Sequence, residues 1–131
     1  MKSGWLRPGE VLSVLWIVGI PICSPVLAKS VRWTCVYPGG VSPKGLFKEE
    51  FKFDIVLDDV TKKAVMIDTQ GTSNVTLYEG ALGVTFLEGL PTGAIQTTTI
   101  TNEGDSVHSR HTMLDDKKVT PIQYYGRCKV Q

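Results

Sequence analysis

Short connections between alternating segments constrain the fold of this chain more than any other feature. Gly, Pro, Asp and Asn residues recur at short intervals and separate segments in which apolar and polar side chains alternate. In the clearest segment Phe51, Phe53, Ile55 and Leu57 alternate with mostly charged residues, which is the period of a strand and not of a helix. A connection such as 59–62 is too short for a parallel crossover, so consecutive strands are expected to pair antiparallel.

The pattern predicts an all-β fold of eight strands in an antiparallel meander. Closure into a small barrel removes the exposed edges and leaves an interior that side chains or one small ligand can fill. A two-sheet β-sandwich is the alternative, because the longer connection 38–48 can either cross between sheets or cover a barrel mouth. The predicted strands are 31–37, 51–58, 63–69, 74–79, 83–88, 93–101, 106–114 and 123–130.

The first 28 residues have the pattern of a secretory signal peptide. Lys2 and Arg7 precede a mostly apolar run over 11–23, and Ala28 supplies the small residue expected at a cleavage site. A membrane anchor is the weaker interpretation because Pro21 interrupts a run that is already short for a span. Lipid attachment at Cys23 is a further alternative, although Ile22 is larger than the residue that such attachment favours. We therefore predict a cleaved signal over 1–28 and one domain over 29–131.

Three cysteines are present, and signal cleavage would leave two of them, Cys35 and Cys128. An even pair in an exported protein predicts a disulfide, here one that joins the first strand to the last. Residues 29–131 contain twelve basic and twelve acidic side chains. Neutrality gives no support to nucleic-acid binding or to a stable membrane attachment after cleavage. We expect a monomer in the periplasm or outside the cell.

One hairpin carries the candidate binding residues. A four-residue turn at 102–105, with Gly104 at a position of positive φ, would place Gln96 opposite His111 and Thr98 opposite Ser109. This register predicts that all four polar side chains lie in the middle of an apolar inner face. They form either a hydrogen-bonded ladder that satisfies its own polar groups or the polar lining of a ligand cavity.

The same register assigns His108 and Arg110 to the outer face. Together with Tyr124 or Tyr125, whichever points outward, they are candidates for a surface that contacts a partner protein. His108 and His111 are three residues apart and should therefore lie on opposite faces of their strand, so no metal site is predicted. No cofactor motif and no nucleophile motif occurs, and we predict that the protein is not an enzyme.

The pattern looks like that of small exported bacterial β-proteins to which no activity is assigned. Four segments carry this resemblance: Trp33-Thr34-Cys35, the stretches 83–88 and 107–113, and Tyr125-Gly126-Arg127-Cys128. In size, export, strand count and the aromatic-x-Cys start, the chain is also similar to periplasmic inhibitors of c-type lysozyme. The resemblance does not extend to the Ser- and Lys-bearing segment that those inhibitors insert into the enzyme, so inhibition is an analogy of architecture.

Two functional hypotheses follow. The first is a non-enzymatic binding module of the cell envelope that presents loops or a barrel mouth to a protein or a small ligand. The alternative is a structural or stress-related envelope protein, or an inhibitor of a cell-wall hydrolase.

Overall fold

A computed structural model describes residues 29–131, which form eight strands and no helix. The predicted signal peptide, 1–28, lies outside the described residues. Within residues 29–131 no helix is long and apolar enough to cross a membrane. The strands are β1 Ser30–Ser42, β2 Gly45–Asp58, β3 Ala64–Asp68, β4 Gly71–Gly80, β5 Gly83–Gly89, β6 Ile95–Thr101, β7 Asp105–Met113 and β8 Val119–Val130.

The strands form a closed antiparallel barrel in which each pairs with its neighbours in sequence. Strand β1 pairs with β2 on one side and with β8 on the other, and this second pairing closes the barrel. The predicted meander and its closure are confirmed, and the sandwich alternative is wrong. Closure gives every strand a partner on each side, although residues 45–53 of β2 extend beyond its pairing with β3.

The predicted disulfide lies at the closing seam. Cys35 and Cys128 are directly opposite each other in β1 and β8, with Cα atoms 4.0 Å apart and a sequence separation of 93. Both side chains are buried. The bond therefore fixes the pairing that turns a row of strands into a barrel.

The connection predicted over 38–48 is wrong, since β1 and β2 continue as one long hairpin up to Pro43 and Lys44. A register shift at Pro38 is followed by resumed pairing at Gly39 and Gly40. Gly40 is needed there because a Cβ would lie 2.0 Å from the Gln123 carbonyl oxygen and 2.9 Å from the Phe47 ring. The glycines that indicate a loop in the sequence permit close packing within a strand instead.

The interior is filled by aromatic and aliphatic side chains. Tyr37 and Phe53 pack with tilted rings at 5.6 Å between centroids, and Trp33 meets Phe86 edge-on at 5.4 Å. The largest fully buried side chains are Tyr37, Phe86, Ile55, His108, Thr98 and Cys35. A barrel of eight strands has just enough interior for such a core.

The two ends of the barrel differ in their loops. The end at which β1 begins, called the Trp33 end, carries the turns after β2, β4 and β6. The opposite end, called the Arg110 end, carries the turns after β1, β3, β5 and β7. Grooves for a ligand are therefore to be sought at these two ends.

Loss of the disulfide should weaken the seam. We expect the Cys35→Ala/Cys128→Ala variant to lose about 2–5 kcal/mol of unfolding free energy, because a long closed loop restricts the unfolded chain. Urea denaturation of this variant, and of the wild type with and without reductant, measures the loss. A loss below about 1 kcal/mol would show that strand pairing alone holds the seam.

Substitution of Gly40 tests the close approach of β1 and β8. Gly40→Ala should destabilise the barrel by about 1–3 kcal/mol or more, since the added Cβ overlaps backbone atoms. Gly89→Ala is the matched control, because nothing lies within 4 Å of a Cβ at that position. Equal midpoints for the two variants in urea would contradict this account of the seam.

Candidate functional site

The β6–β7 hairpin has a register one residue away from the predicted one. Gln96 lies opposite Arg110, and Thr98 lies opposite His108. The loop contains three residues and not four: the Gly104 amide donates to the Thr101 carbonyl at 2.9 Å, and Gly104 has a φ of 99°. A type I turn followed by a residue of positive φ is a usual three-residue hairpin. An odd change in loop length moves every β7 side chain to the other face.

His108 is therefore inside the barrel, and its predicted exposure is wrong. Its side chain is 0% exposed, as is that of Thr98. Arg110, also predicted to be on the outer face, points inward at the Arg110 end and is half-buried. The predicted outer strip that combined these two residues with a tyrosine does not form.

The four residues predicted to line the interior are divided between the faces. Thr98 is buried, and Gln96 is half-buried at the Arg110 end. Ser109 and His111 belong to the outer set of β7, and His111 is exposed. Their contact with a ligand stays a prediction. His108 and His111 do lie on opposite faces, and no metal-binding cluster of three or more His, Cys, Asp or Glu side chains occurs within 29–131.

Of the two adjacent tyrosines, only Tyr125 points outward. It is 47% exposed, whereas Tyr124 is 8% exposed and packs on the ring of Phe51 at 4.8 Å. This is the alternation expected of neighbouring strand residues. Tyr125 alone therefore remains available for a partner surface.

The polar groups of the interior mostly satisfy one another. The hydroxyls of Tyr37 and Ser106 lie 2.7 Å apart in a hydrogen bond, and the Tyr37 oxygen is 3.7 Å from Cys128 Sγ. Burial raises the pKa of Tyr37 to about 12, so the phenol stays protonated. The sequence pattern missed Tyr37 and Ser106 because the assumed register placed Ser106 on the outer face.

His108 combines one good hydrogen bond with one unpartnered nitrogen. Nδ1 shares a hydrogen bond with Thr98 Oγ1 at 2.8 Å, whereas Nε2 has no partner within residues 29–131. The ring lies among aromatic side chains, with Phe53 at 5.2 Å and Phe51 at 5.3 Å between centroids. Burial, and secondarily the nearby charge of Arg110, lower the pKa of His108 to about 4. The imidazole is therefore neutral in the folded protein near pH 7.

A groove of about 870 Å³ lies at the Trp33 end, and we call it the Trp33 groove. Trp33, Val84 and Ile100 contribute its apolar floor. The β6–β7 turn supplies one wall and is tied to β8, because Arg127 Nη2 donates to the Glu103 carbonyl at 2.7 Å and Arg127 also pairs with Asp105. The Cys128 amide donates to the Gly104 carbonyl at 2.8 Å. The wall is thus held in place by the backbone of β8.

The residues of the Trp33 groove were not predicted as a site. In the sequence, Trp33 stands out only as part of the aromatic-x-Cys start, although it is the single tryptophan of residues 29–131. A large aromatic residue near the start of the strand that closes the barrel could have indicated a binding groove at that end. Its neighbours in the groove come from β5, β6 and β8, and only the closed topology brings them together.

Acid should destabilise the protein through His108. Its folded-state pKa of about 4 lies below the unfolded value of 6.5, so the unfolded chain binds the proton first as the pH falls. The contribution of neutral His108 to the unfolding free energy is fully present above pH 6.5. The unfolding free energy should decrease by about 3 kcal/mol as the pH falls to about 4. Urea denaturation at a series of pH values measures this slope.

Two single substitutions distinguish the effect of His108 on acid stability from that of His111. His108→Phe should flatten the profile between pH 6.5 and 4, whereas His111→Phe, at an exposed position of the same strand, should keep the wild-type slope. Equal slopes in the wild type and His108→Phe would show that His108 does not control acid stability.

The chain matches no protein-family model, no curated protein and no solved structure. The resemblance to inhibitors of c-type lysozyme therefore stays a prediction.

Proposed function

We propose that the protein is a non-enzymatic binding module of the cell envelope that takes a small, largely apolar ligand in the Trp33 groove. The observation that carries the proposal is the combination of a filled interior with a wide apolar groove at one end. A ligand finds no space among the fully buried Tyr37, Phe86 and Ile55, so it has to bind at a barrel mouth. The groove volume of about 870 Å³ is within the range of small-molecule sites.

The lining of the groove favours binding over catalysis. Its apolar floor offers burial of hydrocarbon surface, the main source of affinity for an apolar ligand. Its ionisable side chains are Glu103, Arg127 and Lys129, and Arg127 is engaged with the turn. None of the described lining residues is a histidine, and Cys128 is held in the disulfide. A paired nucleophile and base is thus absent from the groove.

The location is part of the proposal. A disulfide between buried cysteines is typical of proteins in oxidising compartments, and the N-terminal sequence pattern agrees with export. A purely structural role in the envelope is the competing function, because a filled core and a closing disulfide would serve it equally well. The two functions differ in whether the Trp33 groove binds anything.

A neutral fluorescent probe tests the groove. N-phenyl-1-naphthylamine is apolar, uncharged and able to accept excitation energy from tryptophan. We expect saturable binding of one probe per protein, with quenching of the Trp33 emission. Trp33→Ala should bind the probe more weakly, as measured from the emission of the probe itself. Fluorescence titration gives the affinity, and native mass spectrometry of the protein purified from its source would identify a retained ligand.

Val84→Lys and Val65→Lys form a matched pair for this test. Val84 lines the groove and packs against the core, whereas Val65 is a half-buried strand residue outside the groove. Lysine at position 84 brings a charge into the groove and should weaken probe binding by about tenfold or more. Lysine at position 65 should not. Equal probe affinities in both variants, or no saturable binding by the wild type, would favour the structural role.

A further inference from the structure

A row of three polar side chains crosses the Arg110 end on neighbouring strands. Glu88 of β5 lies opposite Gln96 of β6, and Gln96 lies opposite Arg110 of β7. Gln96 Nε2 donates to Glu88 Oε1 at 2.6 Å, and Arg110 Nε donates to Gln96 Oε1 at 3.3 Å. The amide thus holds the guanidinium on one side while the carboxylate fixes the amide.

The flat face of the guanidinium is held as well. Arg110 Cζ lies 5.5 Å from the centroid of the Phe51 ring, within the range of a cation–π contact. Phe51 is itself fixed by Tyr124 at 4.8 Å and by His108 at 5.3 Å between ring centroids. The arginine is therefore oriented by the aromatic core before any ligand arrives, which lowers the conformational cost of binding.

The remaining donors of Arg110 form no hydrogen bond to an acceptor within residues 29–131. A guanidinium carries five N–H donors, and the structure engages only the one on Nε. Within residues 29–131 Arg110 forms no ion pair, whereas Arg32 and Arg127 each pair with an aspartate. With Nε occupied, the two Nη atoms form an end-on fork that matches the two oxygens of a carboxylate.

A cleft of about 390 Å³ adjoins this arginine, and we call it the Arg110 cleft. Leu90, Pro91 and Met113 give it apolar walls, and no acidic side chain is among its described lining residues. A second cavity that Arg110 also lines contains the carboxylates of Glu50 and Asp68 together with Lys52.

We propose that the Arg110 cleft binds a small carboxylate that carries an apolar tail. The carboxylate accepts hydrogen bonds from the two Nη atoms of Arg110, and the tail lies against Leu90, Pro91 and Met113. Thr92 and Thr112 supply hydroxyls at the rim. This site is at the opposite end of the barrel from the Trp33 groove and does not depend on the function proposed for that groove.

Octanoate and octan-1-ol are the probes, because they share a tail and differ in the head group. Titration of the ¹⁵N-labelled protein should shift the Arg110 Nε–Hε resonance with one octanoate bound per chain. Octanoate should bind at least about tenfold more tightly than the alcohol, the size expected of a charge-assisted pair. Arg110→Lys should lose several-fold in octanoate affinity, since it keeps the charge and loses the fork.

Arg110→Gln should abolish the preference for octanoate, and Arg32→Gln is the control for removal of an arginine that lines neither cavity. If Arg110→Gln does not fold, His111→Glu serves, because that position is exposed and the new carboxylate would repel the ligand. Equal binding of acid and alcohol, or octanoate binding unchanged in Arg110→Gln or His111→Glu, overturns the proposal. Octanoate binding that is lost in Val84→Lys alone assigns it to the Trp33 groove, which overturns this site and leaves the proposed function standing.

Discussion

The pairing of β1 with β8 is the interaction on which the rest of the structure depends. Closure gives each strand two partners, and it requires the backbones to approach closely at the seam. Gly40 and Gly126 make this possible, because a Cβ on either would lie about 2 Å from a carbonyl oxygen of the neighbouring strand. The Cys35–Cys128 bond then joins two residues that already lie opposite each other. Once the seam is set, the alternation along each strand determines which side chains enter the interior.

The small interior determines where binding can occur. Eight strands enclose little more than the aromatic and aliphatic core, so polar side chains that point inward have to find partners within it. Tyr37 with Ser106, and Thr98 with His108, meet this requirement in pairs from different strands. The interior therefore contributes stability, and among the buried side-chain nitrogen and oxygen atoms of residues 29–131 only His108 Nε2 has no hydrogen-bond partner. Both proposed binding sites therefore lie at the mouths of the barrel, one beside Trp33 and the other beside Arg110.

Much of the fold follows from local pattern, whereas the positions of the site residues do not. The alternation from Phe51 to Leu57 and the short connections predict antiparallel strands, and two cysteines near the ends agree with closure. From the sequence alone, Gly39 and Gly40 suggest a loop. Their structural role is to allow close contact with Phe47 and with β8, and this contact forms only when the barrel closes. The Trp33 groove likewise depends on strands that are distant in sequence. Local pattern carries the period of a strand but not its register.

Register matters most in the β6–β7 hairpin, where a single turn determines whether Arg110 or His111 points into the barrel. The three-residue loop ending at Gly104 brings Arg110 beside Gln96, whereas a four-residue loop would bring His111 there and leave Arg110 outside. Gly104 is fixed from the opposite strand: its carbonyl accepts from the Cys128 amide, and a Cβ would lie 2.9 Å from the Cys128 carbonyl oxygen. Gly104, which determines the type of turn after β6, is thus held in place by Cys128, which forms the disulfide at the seam. The row of Glu88, Gln96 and Arg110 at one end of the barrel therefore depends on the length of the β6–β7 turn at the other end.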